Sequence, residues 1–373
     1  MAQDKISRSS YLTQHLGKHP EAIDVIGRRY VKVVDLRYGT NPEQTAAYYR
    51  PDGVPCPIGD MKMLKTGKSG LSQTNLEDVS YALNICKFFA RPGCACMKHV
   101  NPSGAAMAAP GERLVDVYRK ARDCDPRAAF GSVVAFNGPV DVATAREIMS
   151  TFVECVVATG YEAGALEVFN DAGTYKLNRQ IRVLEVAGLD RLPRFVGDSI
   201  DGYRTFKVLC DGTLVVADPI LTKLRGVGDL QPAKAPDGQG GEVLATVRPT
   251  AQQLDDLLTA WYINISVRSN GVVIVKNGGT LAVGTGEQDR VGAVENAIWK
   301  YRGKYGGRET LDGAAMASDG FFPFPDALET AAAAGVRAVI APAGSLKDAD
   351  VIRRANELGV AFIHAPERVF SHH

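Results

Sequence analysis

The sequence lacks the marks of a protein that enters or crosses a membrane. It has no apolar run of about 18 residues, the length that a membrane-spanning helix needs. The polar stretch of residues 1–20 contains no signal-peptide core. The seven cysteines are odd in number and irregularly spaced, which favours reduced thiols over a disulfide framework. These absences predict a cytoplasmic protein.

The sequence also lacks an excess of charge of either sign. Its 43 lysines and arginines balance 42 aspartates and glutamates, which leaves a formal net charge of +1. A broad nucleic-acid or anionic-membrane surface is therefore not expected, although a small basic phosphate pocket is compatible with this balance. At 373 residues the chain exceeds one ordinary hydrophobic core, so we expect two domains.

Apolar periodicity predicts an α/β fold, because strand-like and helix-like segments alternate from Tyr30 onward. Asp141 and Thr250 stand where helix N-caps are expected, and Asn277-Gly278 predicts a hairpin turn. The two halves share this rhythm, which suggests a duplicated unit. Residues 170–249 are richer in Gly, Pro and charge, with a loop expected at 232–241. The predicted strands are 94–99, 132–136, 155–158, 272–275, 280–283, 336–341 and 360–364. The predicted helices are 76–89 (with Thr74 or Asn75 as N-cap), 112–124, 142–152, 251–265, 288–302, 326–334 and 347–358.

Histidine is scarce, and this scarcity singles out one candidate base. Of six histidines, only His99 ends a central apolar strand, where open α/β sheets place ligand sites. A turn is expected after it, at 101–104. Lys98 places a charge at the edge of a buried apolar strand, where an unpaired charge costs free energy. The pair could act as general base and oxyanion stabiliser, or be a solvent-facing lysine and a strand-end histidine. The other histidines lie near the chain ends or close a late strand: His15, His19, His364, His372 and His373.

Two rival chemistries would use the cysteines near His99. A zinc deaminase needs an H-x-E element and a later C-x-x-C, but Asn101 stands in place of the glutamate and the chain has no C-x-x-C. An amidohydrolase with Cys96 as nucleophile is disfavoured because neighbouring strand residues point to different faces. Packing in the core is the favoured role for Cys94 and Cys96.

Three further segments have the composition of binding loops. Residues 284–290 follow a strand and open a helix, so they could present amides to an anion or form a plain turn. Asp289 replaces the third glycine of a dinucleotide fingerprint. Residues 36–42 place a cation and a phenol beside a turn. Residues 318–326 place three aromatics among prolines, which suits stacking on a planar heterocycle. A packed loop is the alternative for each of these last two segments.

Taken together, these segments resemble the transformylase domain of the bifunctional enzymes of purine synthesis. That domain formylates 5-aminoimidazole-4-carboxamide ribonucleotide (AICAR). The resemblance runs from about residue 33 to the C-terminus. It rests on seven motifs in order: RYGTNP at 37–42, KHVNPSG at 98–104, AFG at 129–131, RSN at 268–270, GTGEQDR at 284–290, SDGFFPF at 318–324 and RVFSHH at 368–373.

The resemblance implies formyl transfer from 10-formyltetrahydrofolate to the 5-amino group of AICAR, giving the formylated nucleotide (FAICAR) and tetrahydrofolate. A non-catalytic nucleotide- or folate-binding homologue is the alternative. His99 would accept the proton, Lys98 would stabilise the transition state, and Asn270 would orient the amine and carboxamide. The nucleotide would contact Arg37, Tyr38, Gly131, Glu154, Phe321 and Arg368. The folate would contact Arg290, Asp326, Ser345 and Leu346.

The same resemblance implies two cytidine-deaminase-like α/β/α subdomains, duplicated and without zinc. The expected boundaries are a leader at 1–30, a first subdomain at 31–190 and a second at 191–373, with a variable insertion at about 191–249. No catalytic metal is expected, and a structural monovalent cation is compatible with the family.

The expected partners are the two substrates and a second copy, in a homodimer with active sites at its interface. No nucleic acid and no membrane are expected. Because nothing before residue 30 resembles a cyclohydrolase, a separate IMP cyclohydrolase is expected to close the ring.

Overall fold

The protein is a mixed α/β chain, seen here in a computed structural model that describes residues 16–67 and 69–372. It divides into two compact units. Unit 1 holds the residues up to Arg122 together with Pro126–Leu189, and unit 2 holds Asp123–Asp125 together with the chain from Asp190 onward. The first half of the predicted leader, with His15, and the terminal His373 lie outside the described residues.

Unit 1 begins with a small antiparallel sheet in the order β1-β2-β3. Its strands are β1 Ala22–Val25, β2 Arg28–Asp35 and β3 Ala47–Pro51. The first strand thus begins before Tyr30, where the apolar pattern predicted the start. Strand β1 is short and its residues are half-buried or exposed, so it lacks the apolar alternation from which a strand is predicted.

The main sheet strands of unit 1 run in the order β6-β5-β7-β9-β11-β4. The neighbours β7, β9 and β11 are parallel, and the other pairs are antiparallel. The strands of this sheet are β4 Lys62–Lys65, β5 Gly93–Lys98, β6 Asn101–Met107, β7 Ser132–Phe136, β9 Val153–Ala158 and β11 Arg182–Glu185. Strands β8 Pro139–Val140 and β10 Gly160–Tyr161 form a separate pair. The helices are α1 Gln73–Cys86, α2 Leu114–Asp123, α3 Pro126–Ala129, α4 Val142–Met149 and α5 Ala165–Asn170.

Helix α1 covers β5 and β7 and is the element that reaches the candidate site. Val79, Leu83 and Cys86 are fully buried, as their helical spacing predicts. The predicted N-cap, Thr74 or Asn75, is wrong. Ser72 caps the helix, since its side chain accepts the Asn75 N–H while the Asn75 side chain accepts the Ser72 N–H. The first turn is polar, so the apolar period begins one turn late.

The main sheet strands of unit 2 run in the order β18-β17-β19-β20-β21-β14, with β19, β20 and β21 parallel and the other pairs antiparallel. Position for position, these are the directions found in unit 1. These strands are β14 Gln231–Pro232, β17 Val272–Lys276, β18 Gly279–Gly284, β19 Ala315–Ser318, β20 Ala338–Pro342 and β21 Ala361–Ala365. Two separate strand pairs are β12 Thr205–Val208 with β13 Leu214–Ala217, and β15 Lys234–Pro236 with β16 Glu242–Leu244. The helices are α6 Ala251–Asn264, α7 Arg290–Lys304, α8 Asp326–Ala333 and α9 Asp348–Glu357.

Local signals located several elements correctly. The caps at Asp141 and Thr250 are confirmed, each accepting an N–H of its helix's first turn. The hairpin turn at Asn277-Gly278 is also confirmed, between the paired residues Lys276 and Gly279. Helix α4 ends at Met149, before the predicted end at residue 152.

The loop predicted at 232–241 is wrong in part. Pro232 lies in β14, and β15 pairs with β16 on the other side of a tight turn. Ala233 and Ala235 are buried, but the strands are too short for a periodic pattern to show. The hairpin of β12 and β13 lies in the same region, and every residue of both strands is exposed. In the part of the chain that the structure describes, no helix is long and apolar enough to cross a membrane.

Candidate active site

Lys98 is the last residue of β5, and its ammonium group has a fixed position. The Lys98 Nζ donates to the carbonyl oxygen of Phe130 at 2.7 Å. The next residue, Gly131, has φ +77°, which glycine adopts without strain, and a Cβ at this position would lie 3.6 Å from Lys98 Nζ. The structure therefore brings together Lys98 and Gly131, which are 33 positions apart in the chain. The absence of a side chain at Gly131 leaves the space next to the ammonium group open.

His99 lies on a turn of its own and is exposed. The turn predicted at 101–104 is wrong, because Asn101–Met107 is strand β6, and Lys98 pairs with Asn101 across a two-residue loop. His99 and Val100 form that loop, with φ +54° and +60°. The candidate base therefore stands at the tip of a tight hairpin, next to the fixed lysine.

Asp78 of α1 holds this hairpin tip. Its carboxylate is buried, with 5% of the residue exposed, and Oδ1 accepts the Val100 N–H at 2.7 Å. Burial raises the pKa of Asp78 to about 6, while hydrogen bonds from the Val100 and His99 N–H groups oppose that shift. Sequence reasoning missed Asp78, although an acidic residue inside a helix that is mostly apolar on its inner face was a usable signal.

Arg37 and Tyr38 form a second group in unit 1. Arg37 is buried, and its Nη2 donates to the Tyr38 hydroxyl at 3.1 Å, with the guanidinium 4.6 Å from the ring centroid. The same nitrogen lies 3.4 Å from Asn75 Oδ1. Within the described part of the chain, the buried Arg37 Nε has no hydrogen-bond partner. An unsatisfied buried cationic donor is costly, and an anionic ligand would satisfy it.

Asn75 connects this group to Glu154. Its Nδ2 donates to Glu154 Oε2 at 2.9 Å. A second buried arginine, Arg182, donates from Nε to the Gly70 carbonyl at 2.9 Å. Burial and then the charge of Arg37 lower the pKa of Arg182, while Glu154 opposes the shift. Arg37 and Arg182 are two buried guanidinium groups whose charges act on each other, and Glu154 is the carboxylate that offsets the charge of Arg182. Repulsion between two buried cations favours a further anion here. Sequence reasoning missed both Asn75 and Arg182.

Asn270 is the candidate catalytic residue of unit 2, and its amide has a defined orientation. Asn270 Nδ2 donates to the Glu287 carbonyl at 2.9 Å, and the backbone N–H of Asn270 donates to the same oxygen at 3.1 Å. Its Oδ1 accepts from Arg290 Nη2 at 2.6 Å. The glycine-rich segment 284–290 thus acts within unit 2 to position Asn270, through the Glu287 carbonyl.

Arg290, predicted to contact folate, is committed to partners inside unit 2. It is 7% exposed and forms an ion pair with the fully buried Asp319, whose other oxygen accepts the Gly271 N–H at 3.0 Å. Because Arg290 also holds Asn270, its guanidinium orients the amide. Sequence reasoning quoted Asp319 in a motif but gave it no role.

The aromatic segment 318–326 divides between the core and the surface. Phe322 is buried and stacks on Phe362, with ring centroids 6.0 Å apart. Phe321 and Phe324 are exposed by 39% and 57%. The expectation of three aromatics available for stacking is therefore wrong for Phe322, which packs in the core. Phe321 keeps the exposure that a ligand contact needs.

The C-terminal segment lies against this part of unit 2. The Val369 N–H donates to the Asp319 carbonyl at 3.1 Å, and the Arg368 guanidinium lies 4.9 Å from the Phe370 ring centroid. Arg368 is exposed. Unit 2 therefore gathers Asn270, Arg290 and Arg368 around Asp319.

The remaining predicted folate contacts lie where α8 and α9 begin. Asp326 is the first residue of α8, and its Oδ1 accepts the Ala327 N–H at 2.8 Å. Ser345 lies just before α9 with its Oγ accepting the Lys347 N–H at 3.1 Å, and Leu346 is fully exposed. These helices follow the parallel neighbours β19 and β20, so the residues share one edge of the sheet. They lie outside the hydrogen-bonded group around Asn270.

The cysteine chemistries find no support in the geometry. Cys94 and Cys96 are fully buried in the core of unit 1. Burial raises the pKa of the Cys94 thiol well above its usual value, and the complete burial of Cys96 keeps the candidate nucleophile away from a substrate. Among the described residues, no group of three or more His, Cys, Asp or Glu side chains is arranged to hold a metal ion.

The chain is also similar in sequence to known proteins. Residues 4–300 match the family model described as AICARFT/IMPCHase bienzyme. Proteins named "Bifunctional purine biosynthesis protein PurH" are similar to the chain. The one from Oceanobacillus iheyensis is 35% identical over 373 residues, covering 99% of this chain and 64% of the relative. Those from Magnetococcus marinus and Nostoc punctiforme are 37% and 38% identical, covering 95% and 90% of this chain and 62% and 58% of the relatives. The chain thus spans about three fifths of the length of these relatives.

Proposed function

The chain belongs to the AICARFT/IMPCHase bienzyme family, and from that premise we propose that it is an AICAR formyltransferase of purine nucleotide synthesis. In this reaction the 5-amino group of AICAR attacks the formyl carbon of 10-formyltetrahydrofolate. In the tetrahedral intermediate the bond between the formyl carbon and folate N10 then breaks, which releases tetrahydrofolate and leaves the formylated nucleotide. The observation that carries the proposal is that the Lys98 ammonium is held by the Phe130 carbonyl while the next residue, His99, is exposed at the tip of the hairpin.

The two side chains match the two needs of this step. The amine is a weak nucleophile because its lone pair delocalises into the ring, so a base must accept its proton during attack. His99 takes this role, and the proton then passes to the departing N10. The formyl oxygen gains negative charge in the tetrahedral intermediate, and a preorganised cation such as Lys98 stabilises it. The Phe130 carbonyl holds the ammonium in position before the substrate arrives.

We assign nucleotide binding to the anion-favouring group of unit 1 and to exposed residues of unit 2. Arg37 offers a buried donor without a partner, and Arg368 offers an exposed guanidinium, a planar fork suited to a phosphate. Tyr38, Gly131, Glu154 and Phe321 complete the proposed nucleotide contacts. One amide hydrogen of Asn270 is donated to the Glu287 carbonyl, and one lone pair of its Oδ1 accepts from Arg290. It therefore meets the nucleotide with its second hydrogen and second lone pair.

Folate binding is assigned to Arg290, Asp326, Ser345 and Leu346. Arg290 contributes indirectly, through Asn270, because its guanidinium is bound to Asp319. The other three residues lie where α8 and α9 begin, at one edge of the sheet. Two cytidine-deaminase-like subdomains without zinc complete the proposal, and the matching strand orders of the two units support it. We further propose a cytoplasmic location and a homodimer with active sites at the subunit interface. No catalytic metal is assigned, and a structural monovalent cation is compatible with the proposal.

The test is a formyl-transfer assay on the purified protein with AICAR and 10-formyltetrahydrofolate, in which tetrahydrofolate formation is followed. Lys98→Ala and His99→Ala should each lower kcat by roughly 10²- to 10⁴-fold, the range that general acid–base groups contribute. Lys65→Ala is the matched control, because Lys65 also donates to a phenylalanine carbonyl, that of Phe169, at 2.5 Å in the same unit. It should keep its activity.

Absence of turnover in the wild-type protein, with a known transformylase active in the same buffer, would refute the proposal. Nucleotide and folate binding without turnover would instead identify a non-catalytic homologue. Activity that is sensitive to alkylation and survives Lys98→Ala would favour the amidohydrolase reading with Cys96.

A further inference from the structure

The hairpin that carries the candidate catalytic pair has an unfavourable turn sequence. His99 and Val100 both have left-handed backbone conformations, with φ +54° and +60°, between the paired residues Lys98 and Asn101. A two-residue hairpin loop with positive φ at both positions is a type I′ turn, which favours Asn-Gly. A β-branched residue such as valine is a genuine outlier in this conformation. The turn therefore needs support from outside its own sequence.

Asp78 gives this support. Its buried carboxylate accepts the Val100 N–H at 2.7 Å, and the His99 N–H is the second backbone group that favours the charged form of Asp78. These are the two backbone donors of the turn itself. A charged acceptor makes stronger hydrogen bonds than a neutral one, so Asp78 stabilises the left-handed conformation specifically.

Unit 2 contains the same arrangement with a relaxed turn. Asp256 is the sixth residue of α6, as Asp78 is of α1, and it is also buried. Its two oxygens accept the Asn277 and Gly278 N–H groups at 3.0 and 2.8 Å. These two turn residues have φ +52° and +75°. Asn-Gly adopts this conformation readily, so here the carboxylate is not needed to impose it.

We propose that Asp78 is the positioning residue for Lys98 and His99, because it imposes on His99-Val100 the turn that the sequence Asn277-Gly278 already favours in unit 2. The proposal rests on the proposed formyltransferase function for its catalytic consequence. Without Asp78 the turn relaxes toward negative φ, and the His99 imidazole moves away from the Lys98 ammonium.

The experiment compares Asp78→Ala, Val100→Gly and the double variant with the wild type. Displacement of a catalytic group by about 1 Å costs up to roughly 10²-fold in rate, so Asp78→Ala should lower kcat at least about tenfold. Glycine adopts positive φ freely, so the double variant should return to within a few-fold of Val100→Gly. If Asp78 only stabilised the packing of α1, the Val100→Gly change in the turn would not restore the kcat that Asp78→Ala loses. Asp256→Ala is the matched control and should leave kcat unchanged.

Asp78→Asn is the second variant, in case Asp78→Ala fails to fold, since its amide oxygen can still accept the Val100 N–H. It should keep more activity than Asp78→Ala. An Asp78→Ala protein with wild-type kcat overturns the proposal, as does a folded Asp78→Ala protein whose lost activity Val100→Gly does not restore. If Asp78→Ala does not fold, an Asp78→Asn variant whose lost activity Val100→Gly leaves unchanged overturns it equally.

A readout without turnover separates this proposal from the proposed function. The His99 ring signal in a histidine-labelled NMR spectrum, assigned with His99→Asn, should shift in Asp78→Ala and return in the double variant. If the wild type transfers no formyl group but this pattern holds, only the proposed function falls. If the His99 signal is unmoved by Asp78→Ala, the positioning role falls, whatever the activity.

Discussion

At the residue scale, the ion pairs of unit 2 differ in their access to water. Arg290 and Asp319 are 7% and 0% exposed, whereas the side chains of Arg354 and Glu329, 2.6 Å apart, are 39% and 45% exposed. A buried charge that loses its partner keeps its desolvation cost, whereas an exposed one is hydrated again. The buried pair also holds Asn270, so its loss should reach the proposed chemistry.

Asp319→Asn should therefore lower the free energy of unfolding by about 3–5 kcal/mol and reduce formyl transfer, because Arg290 is left uncompensated and Asn270 loses its orientation. Glu329→Gln, the exposed control, should cost less than about 1 kcal/mol. Urea unfolding of both variants measures the difference. Equal losses of stability would contradict this account of Arg290.

At the scale of elements, α1 combines a structural and a functional role. The reciprocal Ser72–Asn75 hydrogen bonds begin the helix, and Asn75 also contacts Arg37 and Glu154. Helix α6 begins with the same type of cap, from Thr250 and Gln253. In α6 the third-position side chain donates instead to the Gly313 carbonyl at 3.0 Å. Comparing variants of the two caps therefore separates an effect on helix stability from an effect on ligand binding.

Asn75→Ala and Gln253→Ala should each lower the free energy of unfolding by about 1 kcal/mol, the usual effect of a lost cap. Only Asn75→Ala should raise the KM for AICAR, by about tenfold, since it removes a hydrogen bond to a charged group beside Arg37. Steady-state kinetics and urea unfolding provide the two readouts. A similar rise in KM for Gln253→Ala would show that the effect comes from general loss of stability.

At the scale of the whole molecule, each unit carries part of the proposed machinery, Lys98 and His99 in unit 1 and Asn270 in unit 2. The proposed homodimer has active sites at its interface. Mixing two inactive variants tests whether one active site draws these residues from both subunits.

Lys98→Ala mixed with Asn270→Ala should regain about a quarter of wild-type activity, because random exchange in a two-fold dimer leaves one intact site in half of the dimers. Lys98→Ala mixed with His99→Ala should regain none, since both residues belong to one segment. The measurement is formyl transfer after subunit exchange. No recovery in the first mixture would show that Lys98 and Asn270 act from the same subunit.

The sequence alone determined those features of the protein that depend on near neighbours. The caps at Asp141 and Thr250 and the turn at Asn277-Gly278 were predicted because each signal lies within a few residues of what it specifies. His99 could be selected by elimination, and the alternation of strands and helices indicated the α/β class. Strand β6 was mistaken for a turn because Asn101 and Pro102 are turn residues in most contexts.

Only the tertiary structure decided which distant side chains meet. Asp78 and Val100 are separated by 22 positions, and Asn75 and Glu154 by 79. Periodicity indicates which face of an element is buried, but not which element covers it. For that reason neither the contact between the Asp78 carboxylate and the His99 turn nor the Arg182 charge near Arg37 could be predicted. The same limit hid that Arg290 binds Asp319, since the buried pair forms only when α7 packs against β18 and β17.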